Sequence, residues 1–66
     1  MRLRLNERII DLEGRTIEDL LKANNLLDNN RLAVAVNNTV IPRKEWHKHE
    51  LFEDDSIIII RPAQGG

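Results

Sequence analysis

The sequence has no cysteine, which excludes a disulfide framework, a thiolate zinc cluster and a thiol nucleophile. Trp46 and Phe52 are its only aromatic residues, too few for a surface that stacks nucleic-acid bases. Ten basic residues are balanced by eleven acidic ones, so the basic excess that neutralises phosphates is also missing. The segment His47-Lys48-His49 is expected to be a solvated loop. The sequence therefore predicts no nucleic-acid partner and no metal site.

Long hydrophobic runs are missing as well. The longest, Ile57–Ile60, has four residues, far short of the roughly 20 that span a membrane, and residues 1–5 lack the apolar stretch of a signal peptide. We therefore expect a cytoplasmic protein without a membrane partner. The 66 residues form one small domain with no room for a deep catalytic cavity. Since no nucleophile is paired with a base, an enzyme is the function class that the sequence favours least.

The first part of the chain predicts a hairpin. Residues 1–5 alternate between apolar and basic side chains, which is the period of a strand with one apolar face. In the segment Arg8–Leu12, Ile10 and Leu12 share a face in the same way. Asn6-Glu7 lies between the two segments and is expected to form the turn.

A helix and a second hairpin are predicted next. Thr16 is the expected N-cap of an amphipathic helix over residues 16–24 or so, which Asn24-Asn25 and Asn29-Asn30 end with turn chemistry. Residues 32–36 and 39–41 are predicted strands joined by Asn37-Asn38. Pro42 is expected to end the second of these strands. Residues 43–50 are predicted to form a loop or a single helical turn, and residues 57–60 the last strand.

The predicted order is strand, strand, helix, strand, strand, strand. The isoleucine strand is apolar at every position, which indicates a central strand that is buried on both faces and has a parallel neighbour. The fold class is therefore α+β, a ubiquitin-like β-grasp with a mixed sheet of about five strands and one main helix. We expect this domain to cover residues 1–61 and a flexible Gly-Gly tail to cover residues 62–66.

Two surface features are candidate sites. Because a strand alternates its faces, two of the residues Ile57, Ile58, Ile59 and Ile60 should point away from the single helix. With Arg2 and Arg4 beside them, they would form an apolar docking surface for a partner. Trp46 is interpreted as a cap on the small core, with an interface anchor as the alternative.

The tail is the second candidate site. Gln64, Gly65 and Gly66 offer little or no side chain at the end of the chain, and glycine fits where any Cβ would collide. Such a tail can enter a narrow active site in another protein. The reactive group would then be the carboxylate of Gly66.

Several segments together carry a resemblance to a known family. They are Val34-Ala35-Val36-Asn37, Val40-Ile41-Pro42-Arg43 with Trp46, Leu51, Asp54-Asp55 before the isoleucine strand, and Gly65-Gly66. Over nearly its whole length the chain resembles the ThiS family, ubiquitin-like sulfur carriers of thiamine biosynthesis. It departs from the family's common pattern in two turns, with Asn6-Glu7 in place of Asn-Gly and Asp54-Asp55 in place of Gly-Asp.

The resemblance implies a carrier cycle in which partner enzymes supply all the catalytic groups. A ThiF-type adenylyltransferase uses Mg-ATP to convert the Gly66 carboxylate to an acyl adenylate, with Gln64 and Gly65 inside its active site. Sulfur from a cysteine desulfurase persulfide then displaces AMP and leaves a thiocarboxylate. Thiazole synthase (ThiG) receives that sulfur. The chain itself is a co-substrate that binds no cofactor.

Other functions stay open at the level of sequence. The small subunit of molybdopterin synthase (MoaD) shares the fold, the tail and the chemistry. A protein modifier would join Gly66 to lysines of its targets, and a β-grasp interaction module would have an inert tail. A thiocarboxylate on the isolated protein would distinguish a carrier from an inert module, and lysine conjugates would indicate a modifier.

Overall fold

Strands, one helix and a short 3-10 turn organise the residues that the computed structural model describes, which are residues 1–28 and 31–61. They are, in chain order, β1 (Arg2–Leu5), β2 (Arg8–Asp11), helix α1 (Ile17–Ala23), β3 (Ala33–Val36), β4 (Thr39–Ile41), a 3-10 turn (Arg43–Glu45) and β5 (Ser56–Ile60). The predicted order of elements is confirmed, with bounds that differ by one or two residues. The predicted turn at Asn29-Asn30 lies outside the described residues.

Strand β5 occupies the centre of a mixed sheet with the order β2-β1-β5-β3-β4. It runs parallel to β1, where Ile57 is opposite Leu5, and antiparallel to β3, where Ile57 is opposite Val36. The predicted central position and parallel neighbour of the isoleucine strand are therefore confirmed. Since β1 with β2 and β3 with β4 form antiparallel hairpins, the sheet consists of two hairpins joined through β5.

The core lies on one face of the sheet, beneath α1. The buried residues of the helix are Ile17, Leu20 and Leu21. They belong to one cluster with inward-facing strand residues, including Ile57 and Ile59 at 0% and 8% exposure. Ile58 and Ile60 are 41% and 57% exposed. The expectation that β5 is buried on both faces is wrong, because α1 covers one face and no other element of residues 1–28 and 31–61 covers the second.

Both hairpins turn through two residues in the left-handed region. Asn6 and Glu7 have φ of 48° and 73°, and Asn37 and Asn38 have φ of 49° and 73°, the pattern of type I′ turns. The two turns predicted from sequence are thus confirmed. Glu7 adopts this left-handed conformation with a Cβ, which costs such a residue about 1–2 kcal/mol.

The start of α1 is held by a reciprocal capping box. The Thr16 hydroxyl accepts from the Asp19 N–H at 3.1 Å, and the Asp19 carboxylate accepts from the N–H groups of Thr16 at 3.1 Å and Arg15 at 2.8 Å. The predicted N-cap role of Thr16 is confirmed. Gly14 leaves space for the carboxylate, since a Cβ there would be 2.7 Å from Cγ of Asp19.

The capping box makes the stability of the fold depend on pH. The backbone N–H groups of Arg15 and Thr16 hold the pKa of Asp19 below its ordinary value of 3.8. A carboxyl group whose pKa is lowered by folding stabilises the fold above its unfolded pKa, and this contribution is lost as the pH falls through the folded pKa.

We predict that Asp19→Asn lowers the free energy of unfolding at neutral pH, and that its difference from the wild type shrinks as the pH falls below 3.8. The reason is that a protonated Asp19 and a neutral asparagine are equally uncharged partners for the N–H groups of Arg15 and Thr16, the two that donate to the carboxylate. Urea unfolding of both proteins across this pH range measures the difference. A difference that stays constant with pH would contradict the prediction.

Candidate functional site: the open face of the sheet

The uncovered face of the sheet carries a continuous apolar surface across three strands. Ile58 of β5 is opposite Ala35 of β3, which in turn is opposite Val40 of β4, and Ile60 is opposite Ala33. Residues directly opposite each other in a sheet share a face, so these five side chains are neighbours. We call Ala33, Ala35, Val40, Ile58 and Ile60 the open-face patch.

The large side chains of the open-face patch are well exposed. Val40 is 68% exposed, more than either isoleucine of the patch. Contiguous apolar surface of this kind marks interaction sites in small proteins. Sequence analysis missed Val40 and the two alanines, although the alternation of β3 and β4 would place them on this face once the register of the sheet is known.

The candidate docking residues named from sequence divide between the two faces. Ile57 and Ile59 lie under the helix in the core, so the isoleucines available to a partner are narrowed to Ile58 and Ile60. This correction follows from the parallel register, which points Ile57 to the same face as its opposite residue Leu5, itself buried.

The two candidate arginines also differ in position. Arg4 is opposite Ser56 of β5 on one side and Ile9 of β2 on the other, so it borders the patch on the open face. Arg2 lies on the same face of β1 as Arg4 but further from the open-face patch. Its Nε is 3.5 Å from a carboxylate oxygen of Asp54. A partner that covers the patch therefore meets Arg4 before Arg2.

Trp46 belongs to the core. Its side chain is 3% exposed, its Nε1–H donates to the carbonyl of Ile41 at 2.8 Å, and the Arg43 guanidinium lies 4.4 Å from the ring centroid. The interpretation as a core cap is therefore correct, and the alternative of an interface anchor is wrong because no face of the indole is available. Phe52 is the exposed aromatic, at 65%.

Strand β5 links the open-face patch to the chain's C-terminal segment. Ile60, a patch residue, is the last residue of the strand, and Arg61 follows it as an exposed residue. Gln64, Gly65 and Gly66 lie outside the described residues, so their roles stay predictions. One element thus both presents the patch and leads into the tail.

Across residues 1–28 and 31–61, no three side chains of the His, Asp or Glu type are grouped to hold a metal ion. Within that same part of the chain, no helix has the length and apolar character needed to cross a membrane.

The mixed sheet, with one helix packed on one face and an apolar surface on the other, defines a ubiquitin-like β-grasp protein. The model of the ThiS family matches residues 2–66. The chain therefore belongs to the ThiS family, which consists of small sulfur carriers of thiamine biosynthesis rather than catalysts and which interacts with sulfur-transfer enzymes of that pathway.

A solved structure agrees with this assignment at the level of the fold. The crystal structure of the thiamine biosynthesis protein (ThiS) from Geobacter metallireducens is similar to this chain with a TM-score of 0.83 and 20% sequence identity, over 100% of both chains. No curated protein matches the chain significantly. The β-grasp prediction made from the sequence is confirmed.

The two faces of β5 predict losses of different size for the same substitution. Ile57→Ala should lower the free energy of unfolding by about 2–5 kcal/mol, since it leaves a cavity in the core. Its neighbour in sequence, Ile58→Ala, should lower it by about 1 kcal/mol or less, since it loses mainly strand propensity. Denaturant unfolding of both variants measures this. Equal losses would contradict the assignment of Ile58 to the open face.

Proposed function

We propose that the chain carries sulfur as a thiocarboxylate on Gly66 and that it docks on a ThiF-type adenylyltransferase through the open-face patch. The observation that carries the proposal is the position of β5, which presents Ile58 and Ile60 on the uncovered face and leads directly towards Gly65-Gly66. A partner that binds the patch thereby receives the end of the chain. Membership of the ThiS family supports the sulfur chemistry.

The Gly66 carboxylate needs activation before it can accept sulfur. A carboxylate is a poor electrophile because its oxygen is a poor leaving group. In the proposed first step, a carboxylate oxygen attacks the α-phosphate of Mg-ATP held by the adenylyltransferase, forms an acyl adenylate and releases pyrophosphate. The carrier binds no cofactor of its own in this scheme, and the partner supplies the metal and the nucleotide.

Sulfur enters in the second step. The terminal sulfur of a persulfide, generated by a cysteine desulfurase, attacks the Gly66 carbonyl and displaces AMP. The resulting acyl disulfide is reduced by a second thiol, which is itself oxidised to a disulfide, and the thiocarboxylate is released. Thiazole synthase (ThiG) then takes the sulfur and returns the carboxylate for another cycle. The chain is a recycled co-substrate throughout.

Docking and chemistry are separated on the molecule. The open-face patch supplies apolar area, at roughly 25 cal/mol for each Å² buried, and association costs reduce the net gain. The tail allows the Gly66 carboxylate to enter the partner's active site, since the six residues from Arg61 to Gly66 can span about 20 Å when extended. The patch should therefore determine affinity for the adenylyltransferase, and the tail should determine whether the bound carrier reacts.

The tail is tested by changing its length by one residue. Deleting Gly66 withdraws the carboxylate by about 3.3 Å, and adding a residue after Gly66 converts that carboxylate to an amide and moves the new one forward by a similar distance. Because reacting atoms must approach to about 3–3.5 Å, we predict that both variants lose ATP–pyrophosphate exchange with the adenylyltransferase and gain no sulfur-for-oxygen mass increase.

Neither tail variant changes a core residue, so both should melt at the wild-type temperature, which serves as the control for folding. Normal exchange by the Gly66-deleted protein would refute the carrier function. Lysine conjugates of higher mass, in place of a thiocarboxylate on the wild-type protein, would indicate a modifier.

The open-face patch is tested by making its isoleucines polar. The double variant Ile58→Thr/Ile60→Thr keeps β-branched side chains that suit a strand. Burial of an isoleucine is worth about 1.5 kcal/mol or more, and threonine retains part of that apolar area. If the two substitutions together remove about 1.4 kcal/mol, KM for the carrier in the exchange reaction should rise about tenfold. Phe52→Ser is the matched control, because Phe52 is also a large exposed apolar residue, at 65% against 41% for Ile58 and 57% for Ile60, and it lies outside the strands of the sheet. An unchanged KM in the double variant would place the docking surface elsewhere.

A further inference from the structure

The side-chain amide of Asn6 hydrogen-bonds to Ile59, near the end of strand β5, as the backbone of a neighbouring strand would. Its Oδ1 accepts from the N–H of Ile59 at 2.9 Å, and its Nδ2 donates to the carbonyl of the same residue at 3.2 Å. The backbone N–H and the backbone carbonyl of Ile59 are therefore both paired with the side chain of Asn6. The pair joins residues that lie 53 positions apart in the sequence.

The contact between Asn6 and Ile59 takes the place of the next pair of backbone hydrogen bonds in the parallel ladder of β1 and β5. The backbone N–H groups of Arg4 and Asn6 donate to the carbonyls of Asp55 at 2.9 Å and Ile57 at 3.0 Å. The next pair of backbone bonds, to Ile59, would need a carbonyl and an N–H from an extension of β1. The chain turns away at Asn6 instead, where φ is 48°. The amide of Asn6 supplies both groups to Ile59, so parallel pairing continues beyond the end of β1.

The second hairpin has a counterpart at the opposite end of β5. Asn37 takes the same first position of its type I′ turn. Its Oδ1 accepts from the N–H of Ser56 at 3.0 Å, and its Nδ2 donates to the carboxylate of Asp55 at 3.0 Å. Because β1 runs parallel and β3 antiparallel to β5, Asn6 holds the end of the central strand and Asn37 holds its beginning.

We propose that Asn6 is a positioning residue for the Gly66 carboxylate: it fixes the point at which the chain leaves the sheet. This inference rests on the proposed carrier function. Ile59 is the last residue that the β1 side of the sheet holds among those described, and seven residues follow it in the sequence. Without the Asn6 amide, the last bond on that side is the one to Ile57.

The expected effect is on reaction rather than on docking. The open-face patch is unaltered when the Asn6 amide is removed, so affinity for the adenylyltransferase should persist. The end of β5, however, would be held on the β3 side alone, where Ile60 is opposite Ala33. A misplacement of about 1 Å at a reacting centre can cost about a hundredfold in rate, and a loss confined to the reacting complex lowers kcat without changing KM.

The matched pair Asn6→Gly and Asn37→Gly tests the proposal. Glycine accepts positive φ without strain, so each variant removes one amide and keeps its turn. In ATP–pyrophosphate exchange with the adenylyltransferase, Asn6→Gly should lower kcat about tenfold with KM within about twofold, whereas Asn37→Gly should leave both near wild type. Amide hydrogen exchange should show lost protection at Ile59 in the first variant and at Ser56 in the second.

A third variant, Asn6→Asp, breaks the same contact by a different route. Aspartate retains an acceptor for the Ile59 N–H but places a second carboxylate oxygen against the Ile59 carbonyl, where Asn6 Nδ2 donates at 3.2 Å, so it should lower kcat at least as much as Asn6→Gly does. It also keeps the experiment decisive if Asn6→Gly fails to fold at the assay temperature.

Two results would overturn the positioning role. One is an unchanged kcat in Asn6→Gly although Ile59 has lost its protection. The other is an equal decrease in Asn6→Gly and Asn37→Gly, which would mean that general destabilisation of β5 is the cause. A wild-type protein that supports no exchange would instead refute the carrier function, and it is distinguished from both results by the wild-type measurement alone.

Discussion

The structure depends on the pairing of β5 with two strands at once. Its parallel ladder with β1 and its antiparallel ladder with β3 are what join two hairpins that have no other strand in common. The turn asparagines Asn6 and Asn37 lengthen this contact at both ends by adding side-chain bonds to β5 where the backbones of β1 and β3 have already turned away.

A chain of this size can cover its sheet on one side only. Domains of about 60 residues bury a smaller share of their surface than larger domains do and have a stability of a few kcal/mol, so the packing of α1 on one face must supply most of the core. The same four isoleucines then serve two purposes by alternation alone. Ile57 and Ile59 stabilise the fold, while Ile58 and Ile60 form a surface that is available to a partner at no cost to the core.

Much of this was predictable from local patterns. Alternation in residues 1–5, the Thr16 cap and the paired turn residues predicted the elements, because each signal acts within a few residues of its effect. The division of the isoleucines between the faces could not be predicted without the register of β1 on β5. The open-face patch, with Val40, and the bonds from Asn6 to Ile59 depend on strands that are distant in sequence, and so they are visible only in the folded sheet.

The position of β5 as the last element in chain order also affects how the protein is made. While the preceding residues are synthesised, each hairpin has two open edges, and unpaired edges are sites of association between chains. The contacts of β5 with β1 span about fifty residues and those with β3 span more than twenty, and such non-local pairing is slow to form. Pairing of β5 therefore closes the inner edges of both hairpins, and the same event completes the open-face patch.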